Sequence, residues 1–469
     1  MEYNSSSIKK DGFTVNEKLV AYLIGKRLQN LRRKLSCLDS SNSEKIFRKI
    51  NRKILDKILR YKLYKTLKHS ITNSPFYRKS LSTFSKEINL KNCLNLIEKL
   101  SFTYPSDISR MPELFLAVPL SEIVAYHFTA GTTGKRKILY VTRQDLDLIY
   151  YNYSLGFYWS GVVRSDVAQV MFSFDIWQLG LLFEEAFRRM GVKTIPSGNF
   201  ISFLEQKNFI EDYNVSVLAG TPSYMYQLAR EIDLSTQAKE RIKNIFLGGE
   251  GVSKMRRRYI QDKLGGEIFL GYGLMEFGGG VASECRQHNG FHISSNVIPE
   301  IVDVKTGERV CEEEYGELVL TSLDREGTPL IRYRTGDVTR FLEGDCDCGL
   351  PLWRIDYIKG RLDDRVTVGT AEKYYPAVFE ELLESVEGVI NFQIEVTKLN
   401  GKDNLRILVK SVNDTSEIKK RILEKMYSIS TLRNDIEKTK TINPLQIVFV
   451  DNLEDYPKRK IILDKRRLD

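Results

Sequence analysis

Between residues 101 and 356 short β-rich runs alternate with helical stretches, and that alternation leaves few folds open to the chain. Residues 167–174 are β-rich, 179–190 read as a helix, and 192–195 form a second short run just after Gly191. The theme repeats with 215–218, a helix after Pro222, 245–247, a helix over 254–264, and 267–270. Strands spaced by helices in this way predict an α/β architecture with mostly parallel, buried strands. In such sheets ligands sit at the carboxyl ends of strands. Gly248-Gly-Glu-Gly251 and Gly271-Tyr-Gly-Leu-Met-Glu276 both fall there. Either one alone reads first as a tight strand-to-helix turn; two after adjacent strands are harder to dismiss as turns.

The flanks differ from this middle. Leu19, Leu23, Leu28 and Leu31, then Ile54, Ile58, Leu59 and Leu63, recur three to five residues apart among cations, which predicts two amphipathic helices broken near residues 37–43. Asn73-Ser-Pro-Phe-Tyr77 ends this arm, and 90–100 reads as another short helix. Downstream, 317–322 and 329–333 read as strands, Tyr333-Arg-Thr-Gly-Asp337 as an acidic turn, and 358–364 as a linker. A compact α+β unit follows, with β-rich 391–397, 405–412 and 446–450 and a helix over 417–426. The expected division is a helical arm (1–85), a large α/β domain with mixed and parallel sheets (86–358) and a small C-terminal domain (359–469).

Composition narrows the setting. At 42% hydrophobic and 28% charged residues the chain is ordinary for a soluble protein. No stretch approaches the roughly 18 apolar residues of a membrane span, and the polar start fits no signal peptide, so a cytoplasmic protein is expected. Much of the net charge of +10 lies in residues 26–68 and 458–467, without a zinc-finger, RRM or KH signature to promote nucleic-acid binding.

His127 to Thr142 carries the densest chemistry. Thr129, Thr132 and Thr133 alternate with Gly131 and Gly134 before Lys135, so hydroxyls and backbone amides can approach a polyanion closely. A Walker loop requires four residues between its glycines, and here there are two. A glycine-containing hairpin with 138–142 as its second strand is the plainer alternative.

Taken in order, five segments resemble the adenylate-forming acyl- and aryl-coenzyme A ligases, most closely the phenylacetate-coenzyme A ligase branch, over residues 70–469. They are T-A-G-T-T-G-K from Thr129, G-G-E from Gly248, Y-G-L-M-E-F-G-G-G-V-A-S-E-C from Tyr272, I-R-Y-R-T-G-D from Ile331 and G-R-L-D-D from Gly360. The resemblance implies a large adenylation domain with a small mobile lid. It implies an enzyme, an AMP-forming acid–thiol ligase, in which ATP and a carboxylic acid form an acyl-adenylate that a thiol then attacks. It assigns ATP phosphates to Thr129, Gly131, Thr132, Thr133, Gly134 and Lys135, the adenine border to Gly249, Glu250, Tyr272 and Gly273, magnesium to Glu276 and ribose to Asp337. Arg361 falls near the hinge, with Asp363 or Asp364 as its pivot. Lys458 matches the lysine that bridges carboxylate and phosphate, and Lys460 competes for that role. Cations around the phosphates fit the chemistry, because charge moves onto departing pyrophosphate. Three positions depart from the family pattern: Met275 for threonine, Arg136 for proline and Pro457 for glycine. The acceptor implied is coenzyme A, with a carrier-protein thiol or AMP transfer to a deazaflavin as alternatives; a non-catalytic basic scaffold or nucleic-acid-binding protein is the reading from another class. Phe174, Trp177, Phe183 and Phe277 are candidates for the acid pocket, without defining the acid.

Cys285, His292, Cys346 and Cys348 make a second constellation. The C-x-C pair in the turn-rich Gly344-Asp-Cys-Asp-Cys-Gly349 presents two thiols from one loop, and the other two residues complete a Cys₃His set for structural zinc. The resemblance adds to this, since members of the branch with a similar segment carry such a metal. Reduced thiols in a loop are the alternative.

Overall fold

The computed structural model describes residues 52–129, 136–370, 372–413, 415–454 and 460–466. They divide into two compact units. The first takes the described part of Met1–Glu250 with Ile260–Thr335 and Thr339–Tyr357; the second takes Gly251–Tyr259, Gly336–Val338 and the described part of Ile358–Asp469.

In the first unit, β1 (Ile123–Phe128) and β2 (Ile138–Thr142) form an antiparallel hairpin. The central sheet is built from β3 (Val167–Val170), β4 (Lys193–Ile195), β5 (Val217–Gly220), β6 (Asn244–Gly248), β7 (Glu267–Leu274), β8 (Gly279–Ser283) and β9 (Phe291–Ile293). A second sheet takes β10 (Val297–Val302), β11 (Gly316–Ser322) and β12 (Tyr333–Thr339). The last strand of the unit, β13 (Arg354–Ile355), rejoins the central sheet, giving the order β13-β9-β8-β7-β6-β5-β3-β4. From β4 to β7 the pairing is parallel, and from β7 to β13 it is antiparallel. The parallel half explains the sequence pattern: β5 and β6 are buried along their whole length and are therefore almost continuously apolar.

The helices start where side-chain oxygens can cap them. Thr142 accepts from Asp145 N and Asp145 accepts from Thr142 N, opening the helix Arg143–Trp159; Thr221 does the first half of this for Pro222–Glu231. Between helix Arg143–Trp159, helix Leu179–Arg189 and the sheet lies an aromatic core in which Phe157 stacks on Phe187 at 4.0 Å and also meets Phe183 and Phe246. The helix Arg52–Asn73 buries Leu55, Ile58, Leu59, Leu63 and Leu67 and ends at Asn73 as the sequence indicates. The preceding amphipathic helix lies outside the described residues. Among the described residues, no helix is long and apolar enough to cross a membrane.

One strand differs from expectation. Residues 329–332 are not extended, and β12 begins at Tyr333 and runs through Asp337, so the expected acidic turn is strand interior. Pro329 has no N–H for a ladder, and Arg332 has a φ of 48° with its N–H given to Thr321 Oγ1. Extension starts only after that kink.

In the second unit, Asp337 and Val338 pair antiparallel with Arg361 and Gly360, so the expected linker contains a short strand. A four-stranded sheet follows in the order Gln446–Phe449, Lys402–Ser411, Val389–Leu399, Ile462–Asp464. Its core combines Phe392, Ile394 and Ile407 with Phe379, Ile422 and Met426 from helices, which makes it a small α+β unit.

Asp145 ties the first unit together beyond its cap. Fully buried, it also accepts from Glu326 N at 2.8 Å and Gly327 N at 2.9 Å, and Arg325 lies 3.7 Å away. Asp145→Ala leaves those donors and a buried guanidinium uncompensated, so denaturant unfolding is expected to show a loss of about 3 kcal/mol or more.

Candidate active site

The hairpin and the sheet place the first group of residues. Thr129 N donates to Lys137 O at 3.3 Å, closing the neck of the loop between them. Thr129 is buried, and its Oγ1 has no partner among the described residues. Gly131, Thr132, Thr133, Gly134 and Lys135 lie outside the described residues, as does Lys458. Lys137, which sequence reasoning passed over for Lys135, turns out to face inward: its Nζ is 2.6 Å from Glu276 Oε1. The signal was available in the strand alternation, since Leu139 and Val141, at the same parity, are both buried.

Glu276 is the middle residue of a single 3₁₀ turn after β7 and is only 6% exposed. Tyr333 Oη donates to the same Oε1 at 2.8 Å, and Lys137 Nζ is 3.2 Å from that hydroxyl. Burial alone would raise the Glu276 pKa; the Lys137 charge and hydrogen bond, its own N–H and the Tyr333 hydroxyl more than reverse this and hold it below the ordinary carboxylate value. Both donors reach Oε1, which leaves Oε2 with no partner from another described residue.

A cleft opens at the carboxyl ends of β6 and β7. Gly249, Tyr272 and Gly273 line it, beside Tyr153, Phe157 and Phe183. Gly249 has a φ of 86°, and a Cβ at Gly273 would fall 2.1 Å from Gly279 O, so both positions require glycine. Glu250 is exposed and caps the helix Pro222–Glu231 through Ser223 N at 3.1 Å and Ser223 Oγ at 2.9 Å. Of the aromatic candidates Phe183 is on the cleft wall; Phe174, Trp177 and Phe277 are not among the lining residues, and Phe277 packs on Tyr333 at 6.0 Å.

The four Cys and His ligand candidates converge. Pairing of β13 with β9 sets Arg354 opposite His292 and brings the C-x-C loop alongside. All four donor atoms lie within 4.8 Å of one another. Cys285 Sγ is 3.7 Å from Cys346 Sγ, and Cys348 Sγ is 3.4 Å from His292 Nε2. A tetrahedron with bonds of about 2.3 Å to sulfur and 2.0 Å to nitrogen has edges of about 3.8 and 3.5 Å, so the spacing fits zinc. The Cys348 thiol donates to Cys285 and holds its pKa down, while the same bond pushes Cys348 up.

In the second unit Asp337 is buried, and Arg361 Nη1 lies 3.6 Å from its Oδ1 across the strand pair.

Among solved structures, a 2-hydroxyisobutyryl-CoA ligase in the postadenylation state with 2-HIB-AMP matches 88% of this chain and 90% of its own, at a TM-score of 0.76 and 20% identity. The family model described as AMP-binding enzyme matches residues 38–323. The chain belongs to the AMP-binding enzyme family, and it is an adenylate-forming ligase. Its similar relatives are phenylacetate-coenzyme A ligases: that of Pseudomonas putida is 31% identical over 352 residues, 73% of this chain and 79% of the relative. That of Thermus thermophilus is 30% identical over 342 residues, 71% and 76% of the two chains.

Lys137→Met should cost about 3 kcal/mol at pH 7 by stranding the Glu276 carboxylate in the interior. Because the folded pKa of Glu276 is lowered in the wild type, the stability it contributes is present above the unfolded value of about 4.3 and is lost as pH falls through the folded one. Without Lys137 burial raises the Glu276 pKa, so urea unfolding of both proteins from pH 7 to pH 3 should show the gap narrowing as pH falls from the variant's raised value, beginning above about pH 4.3, to the wild type's lowered one.

Proposed function

We propose that the cleft activates an aryl or acyl carboxylate. The carboxylate oxygen attacks the α-phosphorus of ATP and pyrophosphate departs; the thiol of coenzyme A then attacks the acyl carbon, forming a thioester and releasing AMP. The observation that carries the reading is the buried Glu276 beside an aromatic-walled cleft at the strand carboxyl ends.

Within it, Thr129, Gly131, Thr132, Thr133, Gly134 and Lys135 hold the phosphates, while Glu250 with Gly249, Tyr272 and Gly273 borders the adenine. Asp337 binds ribose, Arg361 contacts the nucleotide, and Lys458 bridges carboxylate and phosphate during adenylation. Glu276 Oε2 is the oxygen open to a cation, and magnesium held there would neutralise charge on phosphate oxygens. Lys137 and Tyr333 keep that carboxylate ionised and fixed. The phenyl-sized acids of the named relatives suit a wall of Phe157, Phe183, Phe246 and Phe269.

The test is acid-dependent pyrophosphate release over a panel of aryl and alkyl acids, with the thioester identified by mass after coenzyme A is added. At least one aryl acid should support turnover, and Glu276→Gln should lower it by about 10²-fold or more. No pyrophosphate with any acid would contradict the reading.

Cys285, His292, Cys346 and Cys348 form a closed structural zinc site, supported by donor spacing that fits a tetrahedron. Protein purified without added metal should carry one zinc per chain and lose thermal stability in chelator. Zinc far below stoichiometry, with unchanged melting, would contradict the assignment.

A further inference from the structure

The aromatic wall carries one polar atom that adenylation does not use. Tyr153 sits in the helix Arg143–Trp159, with its ring centroid 5.0 Å from Phe183 and 6.2 Å from Phe157, and it lines the cleft. Its hydroxyl lies over β8: a Cβ at Gly279 would fall 2.1 Å from Oη, and one at Gly280 would fall 3.4 Å from Cζ. Gly279 has a φ of 91°, so the strand both bends and stays bare where the phenol rests on it.

Among the described residues that hydroxyl has no hydrogen-bond partner, and burial pushes its pKa up, so it remains a neutral donor and acceptor. A tyrosine buried for packing alone ordinarily gives its O–H to the protein, because an unpaired polar group in an apolar setting costs free energy. Phenylalanine would fill the same space without that cost. The hydroxyl instead opens into a cleft with Phe157, Phe183, Phe246 and Phe269, where it can meet a ligand.

We propose that Tyr153 is a specificity-determining residue whose hydroxyl hydrogen-bonds a polar ring substituent of the acid, selecting hydroxylated aryl acids over unsubstituted ones. This rests on the cleft being the acid site. The bond is made away from the reacting carboxylate, so it contributes to choice of acid and not to the chemical steps.

The test compares wild type with Tyr153→Phe in pyrophosphate release, using phenylacetate, 3-hydroxyphenylacetate and 4-hydroxyphenylacetate. Wild type should prefer one hydroxylated acid, and the ratio of its kcat/KM to that of phenylacetate should fall about 5- to 10-fold in the variant, the worth of one neutral hydrogen bond. Melting temperature should not fall, since no protein hydrogen bond is removed. If the variant melts early, wild type alone decides: at least a 5-fold preference for a hydroxylated acid supports the assignment, and a preference for phenylacetate overturns it. Equal ratios in two folded proteins overturn it while leaving the ligase reading intact. No acid-dependent pyrophosphate from either protein overturns both.

Discussion

A carboxylate that stays ionised in the interior is the constraint on which the first unit's chemistry rests. Glu276 is nearly inaccessible, and an isolated charge there would neutralise itself by taking up a proton. Lys137 and Tyr333 prevent this, and they arrive from separate parts of the chain, one just before β2 and the other at the start of β12. The hairpin, the central sheet and the second sheet must all be in register for a single oxygen to receive both donors. The fold is therefore specified in part by a buried polar cluster, of a kind that apolar replacement often matches in stability.

Around this charge the cleft is divided by chemistry. Glycines at the ends of β6 and β7 let backbone approach whatever lies there, and the aromatic side of the cleft comes from helices that cover the sheet, through Phe157 and Phe183, and from the sheet itself, through Phe246 and Phe269. Met275 belongs to the second group: it packs against the aromatic cluster, where its flexible thioether fills irregular space. The hydroxyl that the family pattern places at this position is absent, and the side chain serves the wall instead.

Much of this was legible in the sequence, for physical reasons. Buried parallel strands are almost wholly apolar, so β5, β6 and the first half of β7 stood out, and the turns after them located the cleft. Glu276 was legible only through the resemblance of its segment to the adenylate-forming ligases, and the four Cys and His residues because few side chains bind soft metals. The pairing of β13 with β9, which brings the C-x-C loop to His292, was not legible, since strand order is a tertiary property. Neither was β12, whose start is set by the positive φ of Arg332. Lys137 was missed because one cation among three adjacent ones, Lys135, Arg136 and Lys137, has no local mark; only its inward parity on β2 distinguishes it. Tyr153 reads as one more core aromatic until Gly279 and Gly280 are seen beneath its ring.

As proposed, Glu276 Oε2 anchors the metal that accompanies the nucleotide. Calorimetric titration of ATP into wild type and Glu276→Gln, each with and without magnesium, tests it most directly. Magnesium should tighten ATP binding to wild type by about 10-fold or more, this gain should disappear in the variant, and metal-free ATP should bind both proteins alike. The same magnesium dependence in the two proteins would contradict it.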